Sequence, residues 1–94
     1  MKLGFEWDDE KAKANLKKHR VSFDEVVTVF TDPFSLTIPD LGHPSGEQRY
    51  VDIGNSDKGR MLVVVYVERG SKIRIISGRK ATQSERKIYE ENNG

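Results

Sequence analysis

The sequence predicts an α+β fold: two N-terminal helices packed on an antiparallel β-sheet of about four strands, with a C-terminal helix. Three observations carry this. Two helix-start signals with apolar residues at helical spacing fill the first third. Strand-like runs joined by hairpin-length connections follow, and such short connections force antiparallel neighbours. A T-x-x-E capping box at Thr82 to Glu85 then opens a final helix.

Leu3 to Trp7 reads as a short first strand. Asp8 caps a helix from about Asp9 to Lys18, with Asp9 and Glu10 in the first turn and Lys17, Lys18 and His19 in the last, the order the helix dipole favours. Its apolar stripe of Ala12, Leu16 and His19, with Asn15 alongside, is narrow, which puts the helix at the edge of the domain. Ser22-Phe23-Asp24-Glu25 is a capping box opening a helix to about Phe30, whose core face is Phe23, Val26, Val27 and Phe30. Asp32-Pro33 stops it.

Phe34 to Ile38 is strand-like, and Pro39, Gly42, Pro44 and Gly46 mark a loop. Arg49 to Gly54 alternates, with Val51 and Ile53 on one face; Asn55 to Gly59 is a turn. Met61 to Val67 is continuously apolar, which predicts a central strand covered on both faces. Arg69-Gly70-Ser71 turns into a last strand from Lys72 to about Arg79, where simple alternation puts Ile73, Ile75, Ser77 and Arg79 on one face. The last helix frays at Asn92-Asn93-Gly94. No repeat or linker interrupts this order, so residues 1–94 are expected to form one domain.

Composition narrows the function. No apolar run approaches the roughly 18 residues of a membrane span. Acidic residues after Lys2 stand where a secretory segment would be apolar. The absence of cysteine excludes disulfides and thiolate metal sites, which makes the cytoplasm the expected location. With 35% hydrophobic residues the core should be thin, and a protein partner is expected to help it.

The net charge of +1 hides a segregation. Residues 21–48 hold no Lys or Arg and carry five acids, whereas residues 69–87 hold seven basic residues and one acid. A second basic block is Lys11, Lys13, Lys17, Lys18 and Arg20. Segregated charge builds a local positive field that attracts phosphates, although single surface lysines are commonly just solvated.

Metal chemistry is not expected: His19 and His43 sit on different elements. No nucleophile elbow and no glycine-rich phosphate loop is present. What remains is a set of cations with one carboxylate: Glu47, Arg49, Arg74, Arg79, Lys11 and His19. An arginine among apolar neighbours is costly unless it meets a carboxylate or a ligand phosphate. A buried pair of Arg49 or Arg79 with Glu47 or Glu85 is therefore one reading, and a cationic pocket for a phosphodiester is the other.

Metal-free RNA cleavage fits the second reading. The 2′-hydroxyl of RNA is itself the nucleophile, so the protein supplies only a base, an acid and positive charge on the phosphorane oxygens. Trp7, Tyr50, Tyr66 and Tyr89 could stack bases, although aromatic residues of so small a domain more commonly serve the core.

The sequence resembles the BrnT family of toxins from type II toxin–antitoxin systems. The resemblance is carried by F-E-W-D-x-x-K-x-x-x-N-x-x-K-H-x-V-x-F at Phe5 to Phe23 and by Gly46-Glu47-x-Arg49-Tyr50 leading to Gly54. It continues through Leu62-Val63-Val64-Val65, R-I-I-S-x-R at Arg74 to Arg79, Ala81-Thr82, Glu85-Arg86 and Tyr89. It implies a RelE-like fold and a ribosome-independent endoribonuclease that arrests growth by cutting RNA; with the residue inventory, cleavage is expected to need no metal and no cofactor. It also implies a BrnA-like ribbon-helix-helix antitoxin, bound as a heterotetramer of two toxins and two antitoxins, through which alone operator DNA is contacted.

The residues expected to be catalytic are Glu47, Arg49, Arg79, His19 and Lys11, and those expected to bind RNA are Arg74, Lys80, Lys18 and Trp7. Arg20 departs from the family, which usually has glycine there, and Gly78 is a second departure. The alternative is a non-catalytic module that docks nucleic acid or an acidic protein.

Overall fold

A computed structural model describes residues 4–39 and 48–93. The elements are β1 (Gly4–Glu6), α1 (Asp9–His19), α2 (Phe23–Thr28), a 3-10 turn (Val29–Thr31), β2 (Leu36–Pro39), β3 (Arg49–Asn55), β4 (Met61–Arg69), β5 (Lys72–Lys80) and α3 (Gln83–Asn93). The sheet has five strands in the order β1-β5-β4-β3-β2. The antiparallel meander β2 to β5 is as expected, while β1 adds a fifth strand, parallel to β5.

The apolar run of β4 is central because both of its faces are covered. Leu62, Val64 and Tyr66 pack with Val21, Phe23, Val26 and Val29 of the α1–α2 layer and with Ile73 and Ile75. Met61 and Val63 pack on the other face with Ile53 and Tyr89 of α3. The 3-10 turn ends α2 earlier than expected and brings Val29, fully buried, into the first layer.

Two expectations of side-chain direction are corrected. On α1, Leu16 is 49% exposed and Asn15 is the buried residue. The Asn15 amide donates to the carbonyls of Gly78 (2.8 Å) and Val21 (2.9 Å), and its oxygen accepts the Gly78 N–H (3.1 Å). Those partners turn the helix and leave Leu16 outside. On β5, a register shift opposite Val65 and Tyr66 pairs Ile75 with Tyr66 but Ser77 with Val65, so Ile76 is an extra residue. This bulge reverses the parity. Ile73 and Ile75 face the α1–α2 layer, whereas Ser77 and Arg79 lie on the α3 face.

Arg20 adopts the left-handed conformation (φ 59°), donates its N–H to the Leu16 carbonyl (2.9 Å), and accepts Arg60 Nη2 on its own carbonyl (3.1 Å). The turn that glycine would make easier is formed without it.

Two acids of the acidic stretch, Asp32 and Glu25, hold the fold together, while Asp24 is exposed. Asp32 accepts the N–H groups of Phe34 (2.9 Å) and Asn55 (2.8 Å) and the Tyr89 hydroxyl (2.9 Å), tying α3 to the sheet. Glu25, 3% exposed, accepts Arg60 Nε (2.9 Å), Arg60 Nη2 and the Ser56 hydroxyl (2.6 Å). The Arg60 hydrogen bonds hold the Glu25 carboxyl below its ordinary value against the upward push of burial. Its pKa is thus lower folded than unfolded. The stability it contributes is complete above about pH 4.3 and is lost as pH falls through the lower folded value. Urea unfolding at pH 6 and pH 3 should show Glu25→Gln less stable at pH 6 and with a shallower acid limb than the parent. An unchanged pH dependence would remove this pair from the acid response.

Candidate functional site

α3 covers only one end of its sheet face, over Ile53, Met61 and Val63. Among the described residues no helix covers the other end. There, three strands set a row of directly opposed residues: Arg49 of β3 faces Val67 of β4, and Val67 faces Arg74 of β5. The row extends to the sheet edge, where Glu6 of β1 is the partner of Arg74. Opposed residues in adjacent strands share a face, and strands lie about 4.8 Å apart, so the two arginine backbones stand about 10 Å apart across Val67. Both side chains are long enough to close on one anion between them.

The two arginines differ in what holds them. Arg74 Nη1 donates to Glu6 Oε2 at 3.2 Å, and Arg69 Nη1 lies 4.0 Å from the same oxygen. Arg49 is half-buried, its Nε is shut off from solvent, and among the described residues that atom has no hydrogen-bond partner. A buried donor left unmade costs free energy that folding alone does not recover.

Arg79 stands one row beyond Ser77, next to α3. It makes a two-pronged pair with Glu85, Nη1 to Oε1 and Nη2 to Oε2, both at 2.8 Å. That pairing draws the Glu85 carboxyl down to about 2, with the Thr82 N–H (2.8 Å) assisting. Of the pairings the sequence left open, Arg79 with Glu85 is formed.

Lys11, Lys18 and His19 come together elsewhere. With Ala14 and Asn15 of α1 and Ile76 and Ser77 of the bulge they line a groove along the edge of β5. The structure therefore divides the expected residues into an arginine face (Arg49, Arg74, Arg79) and a groove (Lys11, Lys18, His19) that meets it at Ser77. Lys80 is exposed at the end of β5. Trp7 is half-buried and packs edge-on against Phe23 (5.8 Å). Glu47 and His43 lie outside the described residues, and no three His, Asp or Glu side chains gather at a metal-binding spacing among those described.

Sequence reasoning missed Glu6 and Asp52. Glu6 becomes visible only through the parallel pairing of β1 with β5, which links residues 68 positions apart. Asp52 alternates with Val51 and Ile53 and so reads as solvent-facing, yet it is 3% exposed and accepts the Tyr66 hydroxyl at 3.0 Å. Burial pushes its carboxyl up, with Thr37 and Tyr66 opposing. Tyr66 also meets Phe30 (5.0 Å) and stacks on Tyr50 (5.6 Å), so these tyrosines serve the core of the α1–α2 layer.

The fold and the arginine face can be set beside known proteins. Comparison with curated proteins gives no match. Among solved structures, the 1.1 Å crystal structure of the Brucella abortus ribonuclease toxin, BrnT, has the same fold: TM-score 0.66 at 22% identity, over 87% of this chain and 100% of that one. The family model described as "Ribonuclease toxin, BrnT, of type II toxin-antitoxin system" matches residues 7–85, a span that takes in α1, the whole meander and Glu85. The chain belongs to the BrnT family of ribonuclease toxins of type II toxin–antitoxin systems.

Proposed function

We propose that this toxin is an endoribonuclease that cuts RNA without a metal ion and holds the RNA backbone on its arginine face. The observation that carries the reading is the pair Arg49 and Arg74 across Val67, with the buried Arg49 Nε lacking a described partner. Such cations stabilise the extra negative charge of a phosphorane. In the reaction the 2′-hydroxyl loses its proton to a base, the 2′-oxygen bonds to phosphorus, and the bond to the 5′-oxygen breaks as that oxygen takes a proton. Glu47, Lys11 and His19 are the candidates for the proton transfers. Arg79, oriented by Glu85, joins the cationic surface, and Lys18, Lys80 and Trp7 extend the contact with RNA.

The family implies an antitoxin partner and an RNA target. The partner proposed is a BrnA-like ribbon-helix-helix antitoxin, assembled as two toxins and two antitoxins, with operator DNA reached only through the antitoxin. No helix of the described residues is long and apolar enough to cross a membrane, and the cytoplasm is the proposed place of action.

The test is cleavage by purified protein in EDTA. RNA should be cut to products ending in 2′,3′-cyclic phosphate and 5′-hydroxyl, and DNA of the same sequence should survive, because it lacks the nucleophile. Cleavage of DNA, or loss of activity in EDTA, would overturn the mechanism. Salt-dependent RNA binding without cleavage over hours would make the protein a binding module instead.

A further inference from the structure

The arginine face contains a carboxylate where a phosphate-binding surface gains nothing from one. Glu6 occupies the edge position of the row Glu6–Arg74–Val67–Arg49, and its Oε2 takes Arg74 at 3.2 Å and Arg69 at 4.0 Å. Its side chain is 30% exposed and that of Arg74 27% exposed, so the pair is neither a loose surface contact nor a sealed core bridge. A carboxylate this close to a bound phosphodiester repels it, and a negative charge beside two arginines lowers the attraction of the whole patch. As an aid to RNA affinity, Glu6 is in the wrong place.

Its geometry suits a different task. Arginine loses several freely rotating bonds when it is fixed, and a carboxylate hydrogen bond fixes it before the substrate arrives. Arg49 is half-buried with its Nε shut off from solvent, and no carboxylate pairs with it among the described residues. Arg74 stands on β5, one strand from the edge, is half-buried like Arg49, and differs from it in having Glu6 as a hydrogen-bonded partner.

We propose that the row over Val67 is the subsite for the scissile phosphate, and that Glu6 is its positioning residue, orienting Arg74 toward the anion held by Arg49. This rests on the ribonuclease reading. Glu6 sacrifices ground-state attraction for the RNA and gains orientation in the transition state, where a misplacement of about 1 Å can cost 10²-fold. The rate and the affinity should therefore move in opposite directions when its charge is removed.

The experiment compares the full-length parent with Glu6→Gln, Arg74→Ala and the double variant. Single-turnover cleavage is measured at saturating RNA, and binding is measured with fully 2′-O-methylated RNA, which cannot be cleaved because its 2′-oxygen is blocked. Glu6→Gln keeps the size and one acceptor oxygen, which protects folding. It should lower the rate about tenfold or more while binding the methylated RNA equally or more tightly. In the Arg74→Ala background it should cost little further, because the partner it acts through is gone. An unchanged rate in Glu6→Gln, or a full additional loss in the double variant, would overturn the assignment. So would parallel falls in rate, affinity and thermal midpoint, which would make Glu6 only a clip for β1. A parent protein that binds RNA and never cuts it defeats the ribonuclease reading itself and takes this assignment with it.

Discussion

Arg49→Ala is expected to lower the RNA-cleavage rate by about 10²–10³, the usual cost of deleting one well-placed charge stabiliser, with little change in thermal midpoint. The two halves of this expectation come from the same observation. Arg49 Nε is buried and unpartnered among the described residues, so truncation breaks no described hydrogen bond and removes a polar group that folding alone leaves unsatisfied. Arg79→Ala makes the contrast, because it breaks two 2.8 Å bonds and leaves the Glu85 carboxylate with only the Thr82 N–H, so stability falls along with any loss of activity. Single-turnover kinetics on saturating RNA, with a melting curve on the same preparation, separates the two variants. Undiminished cleavage by Arg49→Ala would remove the centre of the proposed site.

Local signals were the legible part of this fold. The Asp8 cap is formed, with Oδ1 accepting the N–H groups of Glu10 (2.8 Å) and Lys11 (3.3 Å). The Thr82–Glu85 box is complete in both directions. The Ser22–Glu25 box is only half formed. Ser22 accepts the Glu25 N–H at 3.1 Å, but the Glu25 side chain turns inward to Arg60, 35 residues away, a stronger partner than a backbone N–H. A box read from four residues cannot reveal a competitor that arrives from a distant hairpin.

The candidate site was harder to read for the same reason. Residue types and charge segregation pointed to the arginines, but their grouping depends on pairings across three strands. The R-I-I-S-G-R run looks like uninterrupted alternation and conceals a bulge at Ile76. The one available hint was the glycine within the strand, which commonly marks a bulge or a close approach. Without the bulge, Arg79 would face the α1–α2 core; with it, Arg79 joins Arg74 and Arg49 on the opposite side.

Gly78→Ala should accordingly destabilise the protein strongly, by about 3 kcal/mol, the upper part of the range for overpacking a core. A methyl group at Gly78 would lie 2.3 Å from Val26 Cγ2. Val26 is fully buried, and its branched side chain has few rotamers with which to retreat. The strand cannot move away cheaply either, because the Asn15 amide holds both the N–H and the carbonyl of Gly78. The diagnostic is the pair with Val26→Ala, which removes the colliding methyl and costs stability by itself through the cavity it leaves. If the collision is the cause, urea unfolding of the double variant should show less destabilisation than the sum of the two single changes. The non-additivity should be about 1–3 kcal/mol. Strict additivity would mean that the glycine is needed for the path of the backbone through the bulge instead, and a Gly78→Ala protein as stable as its parent would refute the close approach itself.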